Sequence, residues 1–284
     1  LFPESITTEQ QSLVLVKRLL AISMSCITYM RGLFPESSYG TRCLDDLCLK
    51  ILREDKNCLG SLQIVKWIQG CFDALEKQYV SVLFTFLMEC PISSLITEMY
   101  QFKFKYKKKV PQMDISSNHG ELVAGLCSKD VKQASRLLLR TLYLLMQDLG
   151  PLPSDITLSM KLLYYNDVTP KDYQPPGFKE GGSPDDMLFA GDPVNLRVGS
   201  VSTDFHLMKV RVTTEKKRVR KADSNLIQKN GPTEISHQGL DCEEEEDEES
   251  TEINLLNLAF SQEEMVGPEK KRKVSEPEKL PLNG

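Results

Sequence analysis

The chain contains 284 residues, of which 40% are hydrophobic and 26% are charged, as is ordinary for a soluble globular protein. Residues 1–212 hold 24 basic against 23 acidic side chains, whereas residues 213–284 hold 11 against 17. This distribution excludes a uniformly basic nucleic-acid coat protein and predicts a near-neutral core with a charged appendage. No stretch reaches the roughly 18 consecutive apolar residues of a membrane helix, so we expect no membrane partner.

The cysteines and histidines show no arrangement typical of catalysis. The eight cysteines contain no Cys-x-x-Cys pair, and most have apolar neighbours. We therefore predict buried, reduced thiols and a reducing compartment, either cytosol or nucleus. Cys43, Cys48 and Cys58 lack the spacing and the additional ligands of a zinc site. With three histidines outside any recognisable motif, the sequence predicts a protein that is not an enzyme and holds neither metal nor cofactor.

Apolar residues at helical spacing predict four helices. The first follows Thr8 and ends near Gly32, and its apolar residues cover most of its circumference, which is typical of a central core helix. The other three are predicted over residues 41–54, 62–79 and 129–149.

Strands are predicted where the period changes to two. Residues 80–88 are rich in β-branched and aromatic side chains, and in residues 99–107 aromatic residues alternate strictly with lysine or glutamine. We expect the aromatic side chains to face the core and the lysines to face water, although interleaved lysines also suit nucleic-acid binding. Residues 156–165 alternate again. The inward positions of this third strand are Ile156, Leu158, Met160, Leu162 and Tyr164.

An irregular span of nearly thirty residues begins after Asn166 and is rich in proline and glycine. Such a long irregular stretch is rare in a compact domain unless it is functional or disordered. Two further strand-like runs follow it, at residues 193–198 and 205–213. A segment that leaves the core and returns to pair as strands is a candidate moving element. Beyond residue 214 the low apolar content and the acidic run at residues 243–249 predict disorder.

Several stretches of the chain resemble the HORMA-domain family, in its meiotic chromosome-axis type. They are EQQSLVLVKRLLAISMSCITYMRGLFPE at 9–36, YGTRCLDDLCLKILRED at 39–55, YQFKFKY at 100–106, LGPLP at 149–153, MKLLYY at 160–165, VTPKDYQPPGFK at 168–179 and VSTDFHLMKVRVTTE at 201–215. The resemblance covers about two hundred residues, too many for a chance motif. It implies an α+β fold in which a small, mainly antiparallel sheet packs against three helices.

The resemblance further implies a "safety belt" that wraps a short peptide, the closure motif, against a sheet edge. On this basis we expect a HORMA domain over residues 6–214, with the belt at about 166–212, and a disordered tail over residues 215–284. The strand at 156–165 would receive the peptide through main-chain hydrogen bonds. Tyr173, Phe178, Phe205 and Leu207 are the belt residues expected to contact it.

A basic segment near the end of the chain, residues 268–282, resembles the family's own closure motif. It is bounded by prolines, which break a strand ladder, and its basic cluster also suits a nuclear-localisation signal. The residues expected to act in it are Lys270, Lys271, Arg272, Lys273, Val274, Ser275, Glu276 and Pro277. Ser261, followed by Gln262, matches the preference of checkpoint kinases and is a candidate phosphorylation site.

The resemblance implies the following partners: closure-motif peptides of axis proteins and of HORMA paralogues, the chain's own tail, checkpoint kinase machinery, and an AAA+ remodelling ATPase that engages residues 1–10. It places the protein in the nucleus, on meiotic chromosome axes, where it would support surveillance of unsynapsed axes. Two alternatives stay open: a HORMA adaptor of another checkpoint or repair complex, and a protein that binds DNA directly through its lysine clusters. We do not expect direct DNA binding, because the tail lacks cysteine pairs or a second core with which to build a DNA-reading module.

Overall fold

The computed structural model describes residues 2–3, 5–44, 47–89, 95–107, 128–184, 187–219 and 273–278. Within these residues the helices are α1 (Glu9–Met30), α2 (Leu59–Glu76) and α3 (Ser128–Asp148). The strands are β1 (Tyr39–Leu44), β2 (Leu47–Leu52), β3 (Val80–Glu89), β4 (Ile96–Tyr106), β5 (Ile156–Tyr164), β6 (Phe178–Glu180), β7 (Pro193–Ser202), β8 (His206–Glu215) and β9 (Val274–Pro277). Seven strands form one sheet in the order β6-β9-β5-β3-β4-β8-β7, with every neighbouring pair antiparallel.

Helix α1 is the central core helix, as predicted. It begins with a capping box in which the Thr8 hydroxyl accepts from the Gln11 amide while the Gln11 side chain accepts from the Thr8 amide. By length and composition alone it would also pass as a membrane span, yet 61% of its most apolar window is buried inside the fold. Its apolar surface is used by packing against α2, α3, β2 and β8.

The alternating strand predicted at residues 99–107 is β4, and its aromatic face is buried as expected. Tyr100, Phe102 and Phe104 lie at most 2% exposed in the main core between the sheet and the helices. The opposite face of the sheet carries a second, smaller apolar cluster that includes Phe84, Phe86 and Met99. Both faces of the central strands therefore carry buried apolar side chains. The helices pack on the first face, so a different element covers the second.

The helix predicted over residues 41–54 is wrong, because this region forms the separate β1–β2 hairpin. Leu44, Leu47 and Ile51 match helical spacing, but Leu49 and Leu52 are the buried side chains, and the Leu52 amide donates to the Ser25 hydroxyl of α1. The tertiary contacts with α1 override the apparent period.

The hairpin also corrects the prediction about the cysteines. The register places Cys43 directly opposite Cys48, and the two are joined in a disulfide. Among the described residues, Cys26 and Cys71 are buried thiols and Cys58 is a half-buried one. Burial raises the pKa of both Cys26 and Cys71 to about 12. This disulfide contradicts the prediction that the cysteines are all reduced thiols. The prediction of a reducing compartment depended on that prediction and loses its support.

A buried ion cluster ties together three distant parts of the fold. Glu98, at the start of β4, is fully buried and accepts from Arg31 at 2.6 and 3.0 Å and from Arg218 at 3.0 Å. Tyr100 donates its hydroxyl to the same carboxylate at 2.6 Å. Both guanidinium groups also donate to the carbonyl of Gly150, just beyond α3. The end of α1, the start of β4 and the residues after β8 are thereby locked to one another.

The segment that joins β5 to β7, residues 165–192, is here called the crossing segment. It leaves the end of β5, forms β6 at one edge of the sheet, and then passes over the second face of the sheet. There Met187 and Phe189 pack against the smaller apolar cluster. The amide of Ile96 donates to Leu188 and the amide of Ala190 donates to Ile96, at 2.7 and 2.9 Å. The crossing segment is thus the element that covers the second face before the chain enters β7 at the opposite edge.

Candidate functional site

A narrow space between β5 and β6 is occupied by β9, a strand from the end of the chain. Leu162 lies opposite Ser275 and Leu163 opposite Val274 on one side. On the other side Phe178, Lys179 and Glu180 lie opposite Pro277, Glu276 and Ser275. Because the crossing segment supplies β6 and then passes over the sheet face, the four residues of β9 are enclosed along both edges.

Main-chain hydrogen bonds hold both ends of β9. The amide of Gly181 donates to the carbonyl of Val274 at 2.9 Å, and the amide of Glu278 donates to the carbonyl of Gly177 at 2.8 Å. The side chain of Asn166 accepts from the amide of Lys273 at 3.3 Å. Contacts of this kind recognise an extended backbone whatever its side chains, so they give affinity and leave selectivity to the neighbouring pockets.

The Ser275 side chain occupies a closed polar pocket on the helix side of the sheet. Ser275 is 0% exposed. The Tyr164 hydroxyl donates to Ser275 Oγ at 2.7 Å, and Ser275 Oγ donates to Gln174 Oε1 at 2.5 Å. The serine hydroxyl therefore acts as both acceptor and donor, and burial is tolerated because its hydrogen bonds are satisfied. Burial raises the pKa of Tyr164 well above its ordinary value, so that this hydroxyl stays a donor at physiological pH.

Lys273, immediately before β9, is held by carbonyl groups and aromatic rings. Its Nζ donates to the carbonyls of Pro170 and Lys171 at 3.1 and 2.7 Å. The same ammonium lies 5.9 Å from the ring centroids of both Tyr164 and Tyr173, within the range of a cation–π interaction. Partial burial lowers the pKa of Lys273.

Val274 and Glu276 project to the second face of the sheet. Val274 is 5% exposed and joins the smaller apolar cluster, which contains Leu163. Glu276 lies 3.4 Å from Lys161 Nζ and 3.7 Å from Lys179 Nζ. An added Cβ on Gly181 would come within 3.1 to 3.2 Å of Glu276, which is tighter than ordinary van der Waals contact. The pocket thus accepts a small apolar residue followed, two positions later, by an acidic one.

Helix α2 positions the crossing segment beside β9. Tyr173 donates its hydroxyl to Asp73 at 2.7 Å, and Lys77 lies over the Tyr173 ring. Partial burial raises the pKa of Asp73, but the hydrogen bonds from Lys77 and Tyr173 lower it by more. The pKa of Asp73 therefore lies below its ordinary value. Gly70 lets α2 approach the crossing segment closely, because a Cβ at this position would clash with the Pro176 carbonyl oxygen.

The residues predicted for peptide binding separate into three groups in the structure. Leu162, Tyr164, Tyr173 and Phe178 lie beside β9, whereas Ile156, Leu158 and Met160 lie on β5 before the part that pairs with it. The inward side chains of β5 pack into the main core, so the strand presents its main chain to the tail.

Phe205 and Leu207 correct the prediction, because they do not lie at this site. Leu207 belongs to β8, where it pairs with Lys105 and Ser202, and β5, β3 and β4 separate β8 from β9. Phe205 lies just before β8 and its carbonyl accepts from Lys107. Lys270, Lys271, Arg272 and Ser261 lie outside the described residues.

The residues that contact β9 or Lys273 and that sequence reasoning missed include Lys161, Asn166, Gln174 and Gly181. Lys161 occupies a polar position in the alternating pattern of β5, where sequence reasoning expects a lysine that faces solvent. Asn166 and Gln174 lie in the irregular span, where no periodicity assigns a direction to a side chain. Within the described ranges, no group of three or more His, Cys, Asp and Glu side chains is placed to hold a metal ion.

Comparisons with known proteins identify the family. A model described as "HORMA domain" matches residues 12–206. The chain belongs to the HORMA-domain family. It is 60% identical over 280 residues to HORMA domain-containing protein 2 of Bos taurus, which covers 98% of this chain and 92% of that protein. It is 56% identical over 227 residues to HORMA domain-containing protein 1 of Homo sapiens, covering 80% of this chain and 57% of that protein.

Solved structures of the family share the fold. The structure of C. elegans HTP-1 bound to the HIM-3 closure motif matches with a TM-score of 0.63 and 16% identity, covering 80% of this chain and 95% of that one. C. elegans HTP-2 bound to HTP-3 closure motif 1 also gives a TM-score of 0.63 at 16% identity, over 76% of this chain and 90% of that one. The expected α+β HORMA fold, with three helices packed against an antiparallel sheet, is confirmed.

Proposed function

We propose that this HORMA-domain protein is a non-enzymatic adaptor that captures closure-motif peptides between β5 and β6, with its own tail as one such peptide. The observation that carries the proposal is the enclosure of β9 by the crossing segment. Support also comes from the related HTP-1 and HTP-2 structures, each of which is described as bound to a closure motif. The expected binding residues beside β9 (Leu162, Tyr164, Tyr173 and Phe178) are part of this proposal.

The biological setting is also proposed, from the resemblance and from the mammalian relatives. We place the protein in the nucleus on meiotic chromosome axes, where it reports unsynapsed axes to checkpoint kinases. Its peptide partners would be closure motifs of axis proteins and of HORMA paralogues, and an AAA+ ATPase would reopen it. The basic residues 270–273 suit nuclear import, while Lys273 also serves the captured strand.

The mechanism follows from the enclosure of the tail. A peptide that merely rested on the β5 edge would leave whenever a few hydrogen bonds broke. Here β6 must first separate from β9, and the contacts that Tyr173 makes with α2 resist that movement. Release therefore requires a displacement of the crossing segment, and a slow dissociation rate can accompany a short peptide. The same arrangement covers the unpaired edge of β5, which would otherwise promote aggregation.

The proposal is tested by adding the tail as a separate peptide. The receptor is the full chain in which residues 273–278 are scrambled, so that its own tail cannot occupy the site. The ligand is a fluorescent peptide of residues 268–282, and a peptide with the same scramble is the control. We expect saturable binding of the native peptide alone, measured by fluorescence polarisation. Absence of binding to a receptor with native circular dichroism would overturn the proposal.

A further inference from the structure

The side chain of Ser275 in β9 is completely enclosed, at 0% exposure. Its hydroxyl is matched by one donor, the Tyr164 hydroxyl, and one acceptor, Gln174 Oε1. Glu180 lies opposite Ser275 in the β6 register, and Glu276 follows it in the chain. The two hydrogen-bond partners of the hydroxyl are therefore neutral, and the Lys273 ammonium, which lies over the Tyr164 ring, is bonded to two carbonyls.

The residues before Ser275 form a second, independent pattern. The sequence Lys270-Lys271-Arg272-Lys273-Val274 places arginine three positions and lysine two positions before the serine. Basic residues at these two positions suit a basophilic protein kinase, because charge patterns are one means by which kinases recognise their substrates. The same residues that make the tail basic thus give Ser275 the sequence pattern of a basophilic kinase substrate.

We propose that Ser275 is a phosphorylation site for a basophilic protein kinase, and that the modification prevents the tail from entering the site. The Ser275 oxygen forms a bond to the γ-phosphorus of ATP as the bond to the β-phosphate oxygen breaks. ADP leaves, and the hydroxyl proton passes to the base of the kinase. This inference rests on the proposed function, because it concerns the peptide that the site captures.

A phosphate does not fit the observed pocket. It replaces the serine donor with acceptor oxygens and adds between about 1.5 and 2 negative charges. Gln174 Oε1 would then face acceptor oxygens, and Glu180, which lies opposite Ser275 in the register, would repel the new charge. Lys273 already bonds two carbonyls, and Lys161 bonds Glu276 and the Gly182 carbonyl, so both lysines have other partners. Burying an uncompensated charge is the costly event.

Burial also makes the modification depend on the state of the tail. A kinase has to bind several residues around its serine in extended form, and the enclosed β9 cannot offer them. Only the released tail is a substrate, and once modified it cannot return. Phosphorylation would therefore keep the tail out of the site and leave the site free for a closure motif of another protein.

The first experiment compares two peptides of residues 268–282, with Ser275 or phosphoserine at this position, on the full-chain receptor with scrambled residues 273–278. We expect the phosphopeptide to bind roughly 100-fold more weakly, because an unpaired charge is buried. A peptide with Ser275→Ala separates loss of the hydroxyl from addition of charge, and we expect it to lose less affinity than the phosphopeptide. Phosphopeptide affinity within threefold of the unmodified peptide overturns the inference alone. Failure of both peptides to bind overturns the proposed function and the inference together.

The second experiment follows phosphorylation of Ser275 in the full chain by the catalytic subunit of cAMP-dependent protein kinase. The substrate sequence stays native, and the site is altered instead by Gly181→Val, with Gly182→Val as the matched control. A Cβ at Gly181 presses on Glu276, whereas a Cβ at Gly182 meets nothing within 4 Å. We expect at least tenfold faster modification in Gly181→Val than in Gly182→Val or the unaltered chain. Equal rates in the three chains, or no modification of Ser275 in any of them, would contradict the inference.

Discussion

The two ends of the seven-stranded sheet are built with the same backbone chemistry but very different lengths of pairing. At one end β8 pairs with β4 along its whole length, from Glu98 opposite Thr214 to Tyr106 opposite His206, and then with β7. At the other end β9 pairs with β5 only at Leu162 and Leu163. The long end is fixed as part of the fold, whereas the short end depends on side-chain pockets and on the crossing segment. On the proposed function, the first edge is a fixed part of the fold and the second can exchange its strand for another peptide.

The largest expected effect is at the structural end. Glu98→Gln would leave Arg31 and Arg218 buried without their counter-charge, and breaking such a cluster costs about 3–5 kcal/mol of unfolding free energy. Urea denaturation checks this value. The matched control is Glu36→Gln, which removes an exposed ion pair with Lys50 and should leave stability unchanged. If Glu98→Gln lowered the unfolding free energy by less than about 1 kcal/mol, the buried ion cluster would not hold the three parts of the fold together.

The next largest effect is expected on peptide binding between β5 and β6. In the scrambled-tail receptor, Gly181→Val should weaken binding of the 268–282 peptide by about tenfold or more, since overpacking typically costs 1–3 kcal/mol. Gly182→Val should not change the affinity, because the space beside Gly182 is open. Both variants should keep the urea midpoint of the parent receptor. Equal affinities for the two variants would contradict the placement of Glu276 against Gly181.

A pH titration probes the structural end without altering its pairing. His206 is 3% exposed, and burial lowers its pKa despite an opposing influence of Glu9. As the pH falls below the ordinary histidine value of about 6.5, the unfolded chain takes up a proton that the folded chain resists. Stability should therefore decline from pH 7 to 5, and His206→Asn should flatten this decline. His237→Asn is the control, and a slope in His206→Asn equal to that of the unaltered chain would refute the assignment.

The smallest effect is expected for the ion pairs of the tail. Glu276→Gln in the 268–282 peptide should reduce affinity by no more than about fivefold, because partly exposed ion pairs contribute roughly 0.2–1 kcal/mol. The carboxylate lies at 3.4 and 3.7 Å from two lysines and remains 32% exposed. Polarisation titrations at low and high salt measure the difference, which should shrink as salt rises. A loss above about 30-fold would mean that charge, not backbone pairing, holds the strand.

The sequence predicted those elements whose burial is one-sided or complete. Alternating aromatic residues marked β4, and the apolar circumference of α1 marked a core helix. The β1–β2 hairpin was missed because Leu44, Leu47 and Ile51 suit a helix equally well, and only the contact with Ser25 decides between the two. Local periodicity contains no information about such a distant partner.

The candidate site shows the same limit more clearly. A basic, proline-bounded segment could be proposed as a strand, since its residues are adjacent in sequence. Its register on Leu162 and Leu163 could not, because it depends on pockets that Gln174 and Asn166 form only after the crossing segment has folded. Phe205 and Leu207 were misplaced for a related reason: they follow the crossing segment in the chain, but that segment carries them to the opposite edge of the sheet.

Amide hydrogen exchange tests the central claim, that residues 274–277 form a strand enclosed between β5 and β6. The Gly181 amide donates to the Val274 carbonyl, so its protection reports directly on the captured tail. The full chain is compared with the chain in which residues 273–278 are scrambled. We predict that Gly181 is protected in the native chain and exchanges freely in the scrambled one, while the β8 amides stay protected in both. Equal exchange of Gly181 in the two chains would contradict the claim.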